Sequence, residues 1–311
     1  MEKNTEASPN ILLVGSGAVG AFYAGRLTQA GFRVASLSRS DYSIVKEKGV
    51  EIRSYEQDFS FQPDEVIQKA EEYSRKADYI LVCLKVLPTI DQSEIIRAAV
   101  SPQTTIVLIQ NGINIEKETA EAFPENEIIS GIAFLAASRI EYGVVSHKGS
   151  GTLTLGTYPE GISENTQQLS ELFSQAGVAC RVVENIARER WRKMLWNASF
   201  NPISVLGGNA DSQKMVNVPE SEFLVRKVMG EVLSIANAAG SGLSEDLVDK
   251  IIASTRKMNA FKTSMLVDSE AGRAMEIDAI LGNSIKVAEA LNVETPYMRS
   301  LYGLLKLMVS E

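Results

Sequence analysis

Three polar side chains, Lys193, Asn197 and Asn201, follow one another at intervals of four residues in a stretch rich in apolar residues. Residues four apart lie on one face of an α-helix, so the ammonium and both carboxamides are predicted to point the same way. Trp191 and Phe200 belong to the apolar residues around the rest of the circumference, which indicates a largely buried helix. A partly desolvated lysine can exchange a proton near neutral pH. Lys193 is therefore a candidate general acid, the alternative being a solvated lysine beside two asparagines bonded to loops.

A glycine-rich turn follows the first apolar run of the chain, residues 11–14, and leads into a segment with helical spacing. The turn consists of Gly15, Ser16, Gly17, Ala18, Val19 and Gly20. Between a strand and a helix, Gly-x-Gly-x-x-Gly predicts dinucleotide binding, because the glycines allow a tight turn and a close approach of backbone to pyrophosphate. The N–H groups at the helix N-terminus then hold the phosphates. The alternative is a glycine turn that binds nothing.

The residues after the next predicted strand, 33–37, bear on the choice of cofactor. An NAD site normally carries an acidic residue at this place, whereas an arginine can pair with the 2′-phosphate of NADP. Here the strand is followed by Ser38, Arg39 and Ser40, so the sequence predicts NADP. Asp41 is the competing residue, but it lies further from the strand end and is expected to start the next turn or helix.

Two more apolar strands are predicted at 78–84 and 104–109, and polar residues follow both of them. The carboxyl ends of parallel strands line the crevice in which a doubly wound sheet binds its ligand. Lys85 and Asn111 are therefore predicted to point toward the cofactor. The alternatives are a solvated loop charge for Lys85 and an ordinary turn for Asn111 and Gly112, since Asn-Gly favours turns without any ligand.

The remaining pattern divides the chain into two domains after a polar tail at residues 1–10. Strands at 128–137, 152–157 and 178–183, with a helix at 163–176, complete an α/β domain of the Rossmann type over residues 11–184. Residues 185–311 have helical periodicity nearly throughout and predict an all-α domain. Its further helices are predicted at 219–239, 245–258, 275–291 and 296–309, the last with Thr295 as N-cap and Pro296 at the first helical position.

Two further polar residues in the C-terminal half are candidates for a site. Ser264 is flanked by apolar residues, and Glu276 opens an otherwise apolar helix twelve residues later. The alternative is a capping serine and an acidic residue favoured near a helix N-terminus. Asp278 cannot share a helix face with Glu276, so one of the two carboxylates is expected to turn inward.

Composition excludes several classes of function. The 311 residues carry a formal net charge of −8 with a pI near 5.0, which opposes nucleic-acid binding. The N-terminus is polar and no apolar run approaches membrane-spanning length, so we expect a cytoplasmic protein that does not bind membranes. Cys83 and Cys180 lie in apolar β-like runs without a neighbouring Cys or His, which predicts buried thiols and neither a disulfide nor a metal site. The single histidine, His147, lies where a strand runs into a glycine-rich turn, which predicts a surface strand histidine.

As a set, these residues resemble the 2-dehydropantoate 2-reductase family, also called ketopantoate reductase, over roughly residues 11 to 305. The matching positions are the glycine turn, Arg39, Lys85, Gln110 to Gly112, Lys193, Asn197, Asn201, Pro202, Ser264 to Leu266, Asp268 and Glu276. The resemblance implies a Rossmann domain joined to an all-α domain, with NADPH between them. It also implies reduction of 2-dehydropantoate to (R)-pantoate on the route to pantothenate and coenzyme A.

The resemblance also implies a role for each matching residue. The glycine turn and Arg39 would hold the pyrophosphate and the 2′-phosphate, and Lys85 and Asn111 would lie near the cofactor, Asn111 also near the substrate. Lys193 would donate the proton, and Glu276 would close the network around cofactor and substrate. The substrate's carboxylate and hydroxyls would be held by Asn197, Asn201 and Ser264. Ala136, after the sixth strand, would line the cofactor site.

One departure from the family pattern keeps the substrate open. After Asn201 the family has a further substrate-binding asparagine followed by glycine, where this chain has Asn209 and Asp211. One alternative is therefore a reductase of the same fold that acts on another 2-keto acid. A dehydrogenase that uses His147 and a non-enzymatic NADP-binding module are the others. The apolar C-terminal helices leave formation of a homodimer open.

Overall fold

The computed structural model describes residues 8–310. This part of the chain divides into two compact units. The first runs as far as Lys85 and also contains Ile90–Gln110 and Glu116–Ile186. The second contains Val86–Thr89, Asn111–Ile115 and the chain from Ala187 onward. Two short loops from the N-terminal half of the sequence therefore belong to the helical unit, and one of them carries Asn111.

The first unit is built on one 10-stranded sheet in the described chain. Its strands are β1 (Asn10–Val14), β2 (Arg33–Leu37), β3 (Val50–Ser54), β4 (Phe59–Phe61), β5 (Glu65–Ile67), β6 (Tyr79–Val82), β7 (Thr105–Ile109), β8 (Ile128–Glu141), β9 (Val144–Thr157) and β10 (Cys180–Val182). Their order is β4-β3-β9-β8-β7-β6-β1-β2-β5, and β10 pairs with β9. The strands from β8 through β7, β6 and β1 to β2 run parallel, so their carboxyl ends share one edge.

Helices cover this sheet, which is why its central strands are apolar on both faces. They are α1 (Ala18–Gln29), α2 (Tyr42–Lys48), α3 (Gln92–Ile96), α4 (Lys117–Ala122) and α5 (Glu164–Gln175). The side chain of Ser163 caps α5 by accepting a hydrogen bond of 3.0 Å from the N–H of Thr166, and the predicted helix at 163–176 is confirmed. A parallel sheet with flanking helices confirms the predicted α/β class of the N-terminal half.

Some sequence predictions for the first unit are wrong. The short strands β3, β4 and β5 were not predicted, because three to five residues with mixed polarity carry little periodic signal. The turn expected after His147 is only an irregularity inside β9, where Ser150 and Gly151 take positive φ values of 59° and 129°. Ala136 lies within β8, which continues to Glu141, and not after the strand.

The prediction of a surface histidine is also wrong, because His147 is only 2% exposed. Its ring lies against the rings of Phe22 and Tyr55, with centroids 4.4 and 5.1 Å away. Its Nδ1 lies 2.9 Å from the hydroxyl of Ser54, and its Nε2 lies 2.8 Å from the carbonyl oxygen of Ser150. Both ring nitrogens of His147 therefore have hydrogen-bond partners in the sheet. The thiols of Cys83 and Cys180 are free and partly buried, and burial raises the pKa of Cys83 to about 12.

The second unit is helical in its described part. Its elements are α6 (Ile186–Leu206), α7 (Ser212–Asn217), α8 (Pro219–Ala238), α9 (Leu247–Lys257), α10 (Ser264–Glu270), a π-helical turn (Asp278–Gly282) that continues into α11 (Asn283–Ala290), and α12 (Pro296–Val309). Apolar residues of α6 and α8 form much of its core, including Leu195, Phe200, Val228 and Val232. The predicted all-α class of the C-terminal half is confirmed. No helix in residues 8–310 is long and apolar enough to cross a bilayer.

One local prediction for this unit is wrong, and another is confirmed in position but not in its hydrogen bonding. The regular helix expected over 275–291 begins with the π-helical turn, a feature that often marks functional sites. Thr295 occupies the N-cap position and Pro296 opens α12, as predicted, but within the described chain the threonine hydroxyl makes no capping bond. The carboxylate of Glu231 instead accepts hydrogen bonds of 2.8 Å from the N–H groups of Tyr297 and Met298. A side chain 66 residues away thus replaces the local cap.

Candidate active site

Helix α6 carries the polar stripe predicted from the spacing of Lys193, Asn197 and Asn201. The helix continues without a break from Ile186 to Leu206, so the three residues lie along one face. Lys193 is partly buried, whereas Asn197 and Asn201 are buried. The ring of Trp196 stacks on that of Phe200 with centroids 4.6 Å apart. The predicted buried helix is confirmed.

The ammonium of Lys193 heads a chain of hydrogen bonds within the second unit. Its Nζ donates to Oδ1 of Asn111 across 2.8 Å. Nδ2 of Asn111 donates to Oε2 of Glu276 across 3.2 Å, and Oε1 of Glu276 accepts a bond of 3.1 Å from the N–H of Val86. The structure thereby brings together Lys193, Asn111 and Glu276. Because both functional groups of the Asn111 amide are engaged, the amide has one defined orientation.

The surroundings of Lys193 change its acidity. The pKa of Lys193 is lowered from 10.5 to about 8, mainly by burial and also by the positive charge of Arg190, while the negative charge of Glu276 opposes both. A buried ammonium loses hydration that the protein only partly replaces, which is why burial is the largest of these effects. A lysine with such a pKa is mostly protonated at neutral pH yet releases its proton far more readily than an exposed lysine does. This is the behaviour that a general acid requires.

The alternative carboxylate of this segment is engaged elsewhere. The hydroxyl of Tyr302 donates to Oδ1 of Asp278 across 2.6 Å, and Nζ of Lys306 lies 3.2 Å from Oδ2. Glu276 is therefore the acid that faces Asn111, and Asp278 ties the π-helical turn to α12. Glu276 and Asp278 therefore have separate partners, as expected if only one of the two carboxylates faces the site.

Asn201 has a buried carboxamide with unmet hydrogen-bonding capacity. Its exposure is 0%, and neither Oδ1 nor Nδ2 has a hydrogen-bond partner within residues 8–310. Leaving such groups unpaired costs about 1–3 kcal/mol each. A ligand can reach this amide only if neighbouring side chains move, since the amide has no exposed surface. Just beyond it, the hydroxyl of Ser204 donates to the main-chain oxygen of Asn201 across 2.7 Å.

Ser264 occupies the first position of α10 and is exposed. It is not the capping residue considered from the sequence, because the side chain of Thr263 accepts the capping bond of 3.1 Å from the N–H of Leu266. The residues that depart from the family pattern also have structural roles. Asn209 lies in an exposed turn with φ of 61°, and the carboxylate of Asp211 caps α7 by accepting from the N–H of Lys214 at 2.9 Å.

The glycine turn of the first unit has the geometry that its sequence predicts. Gly15 takes a positive φ of 100°, and a Cβ on Gly20 would lie 2.1 Å from the carbonyl oxygen of Gly15. Gly17 caps α1, and a Cβ built on it meets no described atom within 4 Å, so this side of the turn is open. An open helix N-terminus without a side chain at the cap leaves room for phosphate oxygens. The turn therefore fits a pyrophosphate.

Beside the turn, Asp41 makes a contact that sequence reasoning did not predict. Asp41 is 3% exposed, and its Oδ2 accepts a hydrogen bond of 2.7 Å from the hydroxyl of Ser16. The hydroxyl of Ser38 donates to that of Ser16 across 3.0 Å. As expected, Asp41 stands just before α2. Its carboxylate thus contacts the glycine turn, and no local pattern predicts this contact between residues 25 positions apart.

The other predicted cofactor residues lie at strand ends or on a strand of the first unit. Arg39 is exposed after β2 and makes no hydrogen bond or ion pair with another described side chain. Lys85 is partly buried three residues after β6, and Ala136 is exposed on β8. Sequence reasoning missed Arg190, which is 5% exposed and donates to the carbonyl oxygen of Gly112 across 3.3 Å. Its spacing of three residues from Lys193 was the available signal.

Comparisons with known proteins agree with this arrangement. The family described as "Ketopantoate reductase PanE/ApbA" matches residues 11–160, and its C-terminal counterpart matches residues 185–309. The structure of a 2-dehydropantoate 2-reductase from Methylococcus capsulatus is 46% identical, covers 96% of both chains and superposes with a TM-score of 0.90. The structure of a 2-dehydropantoate 2-reductase from Geobacter metallireducens is 32% identical, covers 96% of this chain and 100% of that chain, and superposes with a TM-score of 0.91.

A relative named 2-dehydropantoate 2-reductase in Nostoc sp. is 30% identical over 301 residues, which cover 95% of this chain and 94% of that protein. The similarity thus extends over both units and nearly the whole length of each relative. By sequence and by fold, this chain belongs to the ketopantoate reductase PanE/ApbA family.

Proposed function

We propose that the protein reduces 2-dehydropantoate to (R)-pantoate with NADPH, a step that supplies pantothenate and coenzyme A. The observation that carries this proposal is the partly buried Lys193, held 2.8 Å from Asn111 and with a pKa lowered to about 8. In a chain of this family, such a lysine suits protonation of a ketone oxygen. Residues 11–184 would bind the dinucleotide, and residues 185–311 would bind the substrate and carry the general acid.

The residues of the first unit fit NADPH. The open glycine turn from Gly15 to Gly20 would hold the pyrophosphate at the N-terminus of α1, and the exposed guanidinium of Arg39 would pair with the 2′-phosphate. Lys85 and Ala136 of this unit would contact other parts of the dinucleotide. When bound, NADPH would supply the hydride that reduces the ketone carbon.

The role of Lys193 follows from the charge that appears during reduction. Negative charge develops on the ketone oxygen, and an ammonium directed at that oxygen both stabilises the charge and delivers a proton. The amide oxygen of Asn111 accepts a hydrogen bond of 2.8 Å from the ammonium and fixes its position. Glu276 orients Asn111 through the bond of 3.2 Å and lends negative charge that keeps Lys193 protonated.

The substrate would be held by neutral groups. Asn197 and Asn201 offer carboxamides on the same face of α6 as Lys193, and Ser264 offers an exposed hydroxyl. Neutral donors can bind a carboxylate and a distal hydroxyl without placing another cation beside the ketone. Lys193 then remains the cation directed at the oxygen that becomes negative.

The test is oxidation of NADPH with a panel of branched 2-keto acids. We expect 2-dehydropantoate to have a kcat/KM roughly 10- to 100-fold above that of its deoxy analogue, 2-keto-3,3-dimethylbutyrate, because the analogue leaves a polar partner unsatisfied. Both compounds share the branched carbons, so the comparison isolates the hydroxyl. Absence of NADPH oxidation with every member of the panel would refute the proposed reaction.

A reductase of another 2-keto acid is the second candidate. It is favoured by the region after Asn201, where the carboxylate of Asp211 caps α7 and Asn209 lies in an exposed turn. Neither residue reproduces the asparagine and glycine expected from the family pattern. Equal kcat/KM for 2-dehydropantoate and the deoxy analogue, or a higher value for another acid of the panel, would favour this candidate.

A further inference from the structure

Helix α6 buries a second cation one turn before Lys193. Arg190 is 5% exposed, and the two residues are three positions apart, so their side chains lie on neighbouring parts of the same helix surface. Like charges at this spacing destabilise a helix, and burial of a charge adds a desolvation cost. Packing alone would be served better by an apolar residue at this position. The guanidinium must therefore be offset by contacts that the surrounding loops supply.

One such contact fixes the loop that carries Asn111. Nη1 of Arg190 donates to the carbonyl oxygen of Gly112 across 3.3 Å. Gly112 has a φ of 114°, and a Cβ at this position would lie 2.9 Å from the carbonyl oxygen of Ala279. Glycine is thus required, and its backbone turns the carbonyl toward α6 directly after Asn111. The same arginine that neighbours Lys193 therefore holds the peptide next to the partner of Lys193.

The next residue of the loop is held by the π-helical turn and α11. The N–H of Ile113 donates to the carbonyl oxygen of Ala279 across 3.3 Å, and Nδ2 of Asn283 donates to the carbonyl oxygen of Ile113 across 3.0 Å. These bonds and the one from Arg190 approach the loop from different elements. The backbone of Asn111 consequently has little freedom, and its amide can keep the Lys193 ammonium in one place.

The charge of Arg190 acts on the same ammonium. The charges of Arg190 on α6 and of Glu276 in the segment before the π-helical turn both shift the pKa of Lys193. The arginine favours loss of the proton, and the carboxylate favours its retention.

We propose that Arg190 is a positioning residue of the reductase, which fixes the Asn111 loop through Gly112 and places a positive charge on the helix turn before Lys193. The proposal rests on the proposed function, because only a ketone reductase would transfer the Lys193 proton to a substrate oxygen. The acidity of Lys193 itself can be measured without any substrate, so the two ideas can fail separately.

The first test measures the acidity of Lys193 directly. Competitive labelling of lysines with acetic anhydride, read by mass spectrometry over a series of pH values, gives the pKa of Lys193 in the folded protein. Arg190→Met should raise this pKa by about half a unit or more, and Arg190→Lys should keep it near the wild-type value. Arg192→Met is the matched control, since Arg192 lies on the same helix, is 42% exposed and pairs with Glu189 at 3.0 Å. It should leave the pKa of Lys193 unchanged.

The second test follows turnover with 2-dehydropantoate against pH. Arg190→Met should lower kcat at neutral pH and move the alkaline fall in kcat to higher pH, whereas a purely structural role would lower activity without moving that fall. Arg190→Lys should restore the wild-type profile. If Arg190→Met does not fold, Arg190→Gln, which can still donate a hydrogen bond, takes its place in both tests.

An unchanged Lys193 pKa in a folded neutral variant, or equal shifts in the Arg190 and Arg192 variants, would overturn the inference. A shifted pKa in a protein that reduces no 2-keto acid would leave the inference standing and refute the proposed function.

Discussion

The Nζ of Lys193 donates a hydrogen bond of 2.8 Å to Oδ1 of Asn111, a residue 82 positions earlier in the chain. The bond joins α6 to a short loop that comes from the N-terminal half of the sequence but belongs to the helical unit. Since Nδ2 of the Asn111 amide donates to Glu276, the ammonium of Lys193 and the carboxylate of Glu276 are connected through the Asn111 side chain. The ammonium is therefore held in place before any substrate arrives, which is the kind of preorganisation that favours proton transfer.

Replacement of Lys193 should lower the rate of catalysis strongly without unfolding the protein. Lys193→Met keeps the apolar part of the side chain and removes the ammonium, so kcat should fall roughly 10²- to 10⁴-fold. The dissociation constant of NADPH, measured by fluorescence, should change little. Lys250→Met is the control, because Lys250 is an exposed lysine on α9 of the same unit and pairs with Asp246, which precedes that helix. A Lys193→Met enzyme with wild-type turnover would show that another group donates the proton.

The pH dependence of turnover should report Lys193. A general acid must be protonated, and the pKa of Lys193 is lowered from 10.5 to about 8 by burial and by Arg190, against Glu276. The kcat for ketone reduction should thus be constant below about pH 8 and fall about tenfold per unit above it. Stopped-flow oxidation of NADPH at saturating substrate measures this profile. A rate that stayed constant to pH 10.5 would mean an unperturbed lysine or a different acid.

The choice between NADPH and NADH should depend on Arg39. Arg39→Ala should raise the KM for NADPH roughly 10- to 100-fold through loss of a charge-assisted bond to the 2′-phosphate. The KM for NADH should change little, because NADH lacks that phosphate. Arg33→Ala, at the opposite end of β2, is the matched control and should affect neither cofactor. Equal losses with both cofactors after Arg39→Ala would contradict the assignment.

Asn201 should show a trade-off between stability and activity. Asn201→Leu replaces a buried amide without partners by an apolar group of similar size, so the free energy of unfolding should rise by about 1 kcal/mol or more. If Asn201 binds substrate, kcat/KM should fall in the same variant. Ser204→Ala is the control, since its hydroxyl is bonded at 2.7 Å and its loss should lower stability. Denaturant unfolding and steady-state kinetics measure both effects, and a stabilised Asn201→Leu enzyme with full activity would exclude substrate contact.

Much of the fold could be predicted because it depends on local periodicity. The apolar run of β1, the glycine turn and α1 follow one another within twenty residues, and the spacing of Lys193, Asn197 and Asn201 marks the polar face of α6. Predictions failed where the local signal was weak or was overridden from a distance. The strands β3 to β5 are too short for a clear period. Thr295 is the N-cap of α12, but the carboxylate of Glu231 accepts the hydrogen bonds that its hydroxyl was expected to accept.

The sequence by itself determined the α/β and all-α halves, the open glycine turn and a lysine on a polar stripe, because helix and strand periods and glycine's tolerance of positive φ are properties of adjacent residues. Only the tertiary structure decided which groups meet. It selects Glu276 over Asp278 as the partner of Asn111, buries His147, directs Asp41 to Ser16 and places Arg190 against Gly112. Each of these contacts joins segments whose separation in the chain exceeds the range of any helix or strand period. The acidity of Lys193 has the same origin, since burial and the charges of Arg190 and Glu276 exist only once those segments have packed.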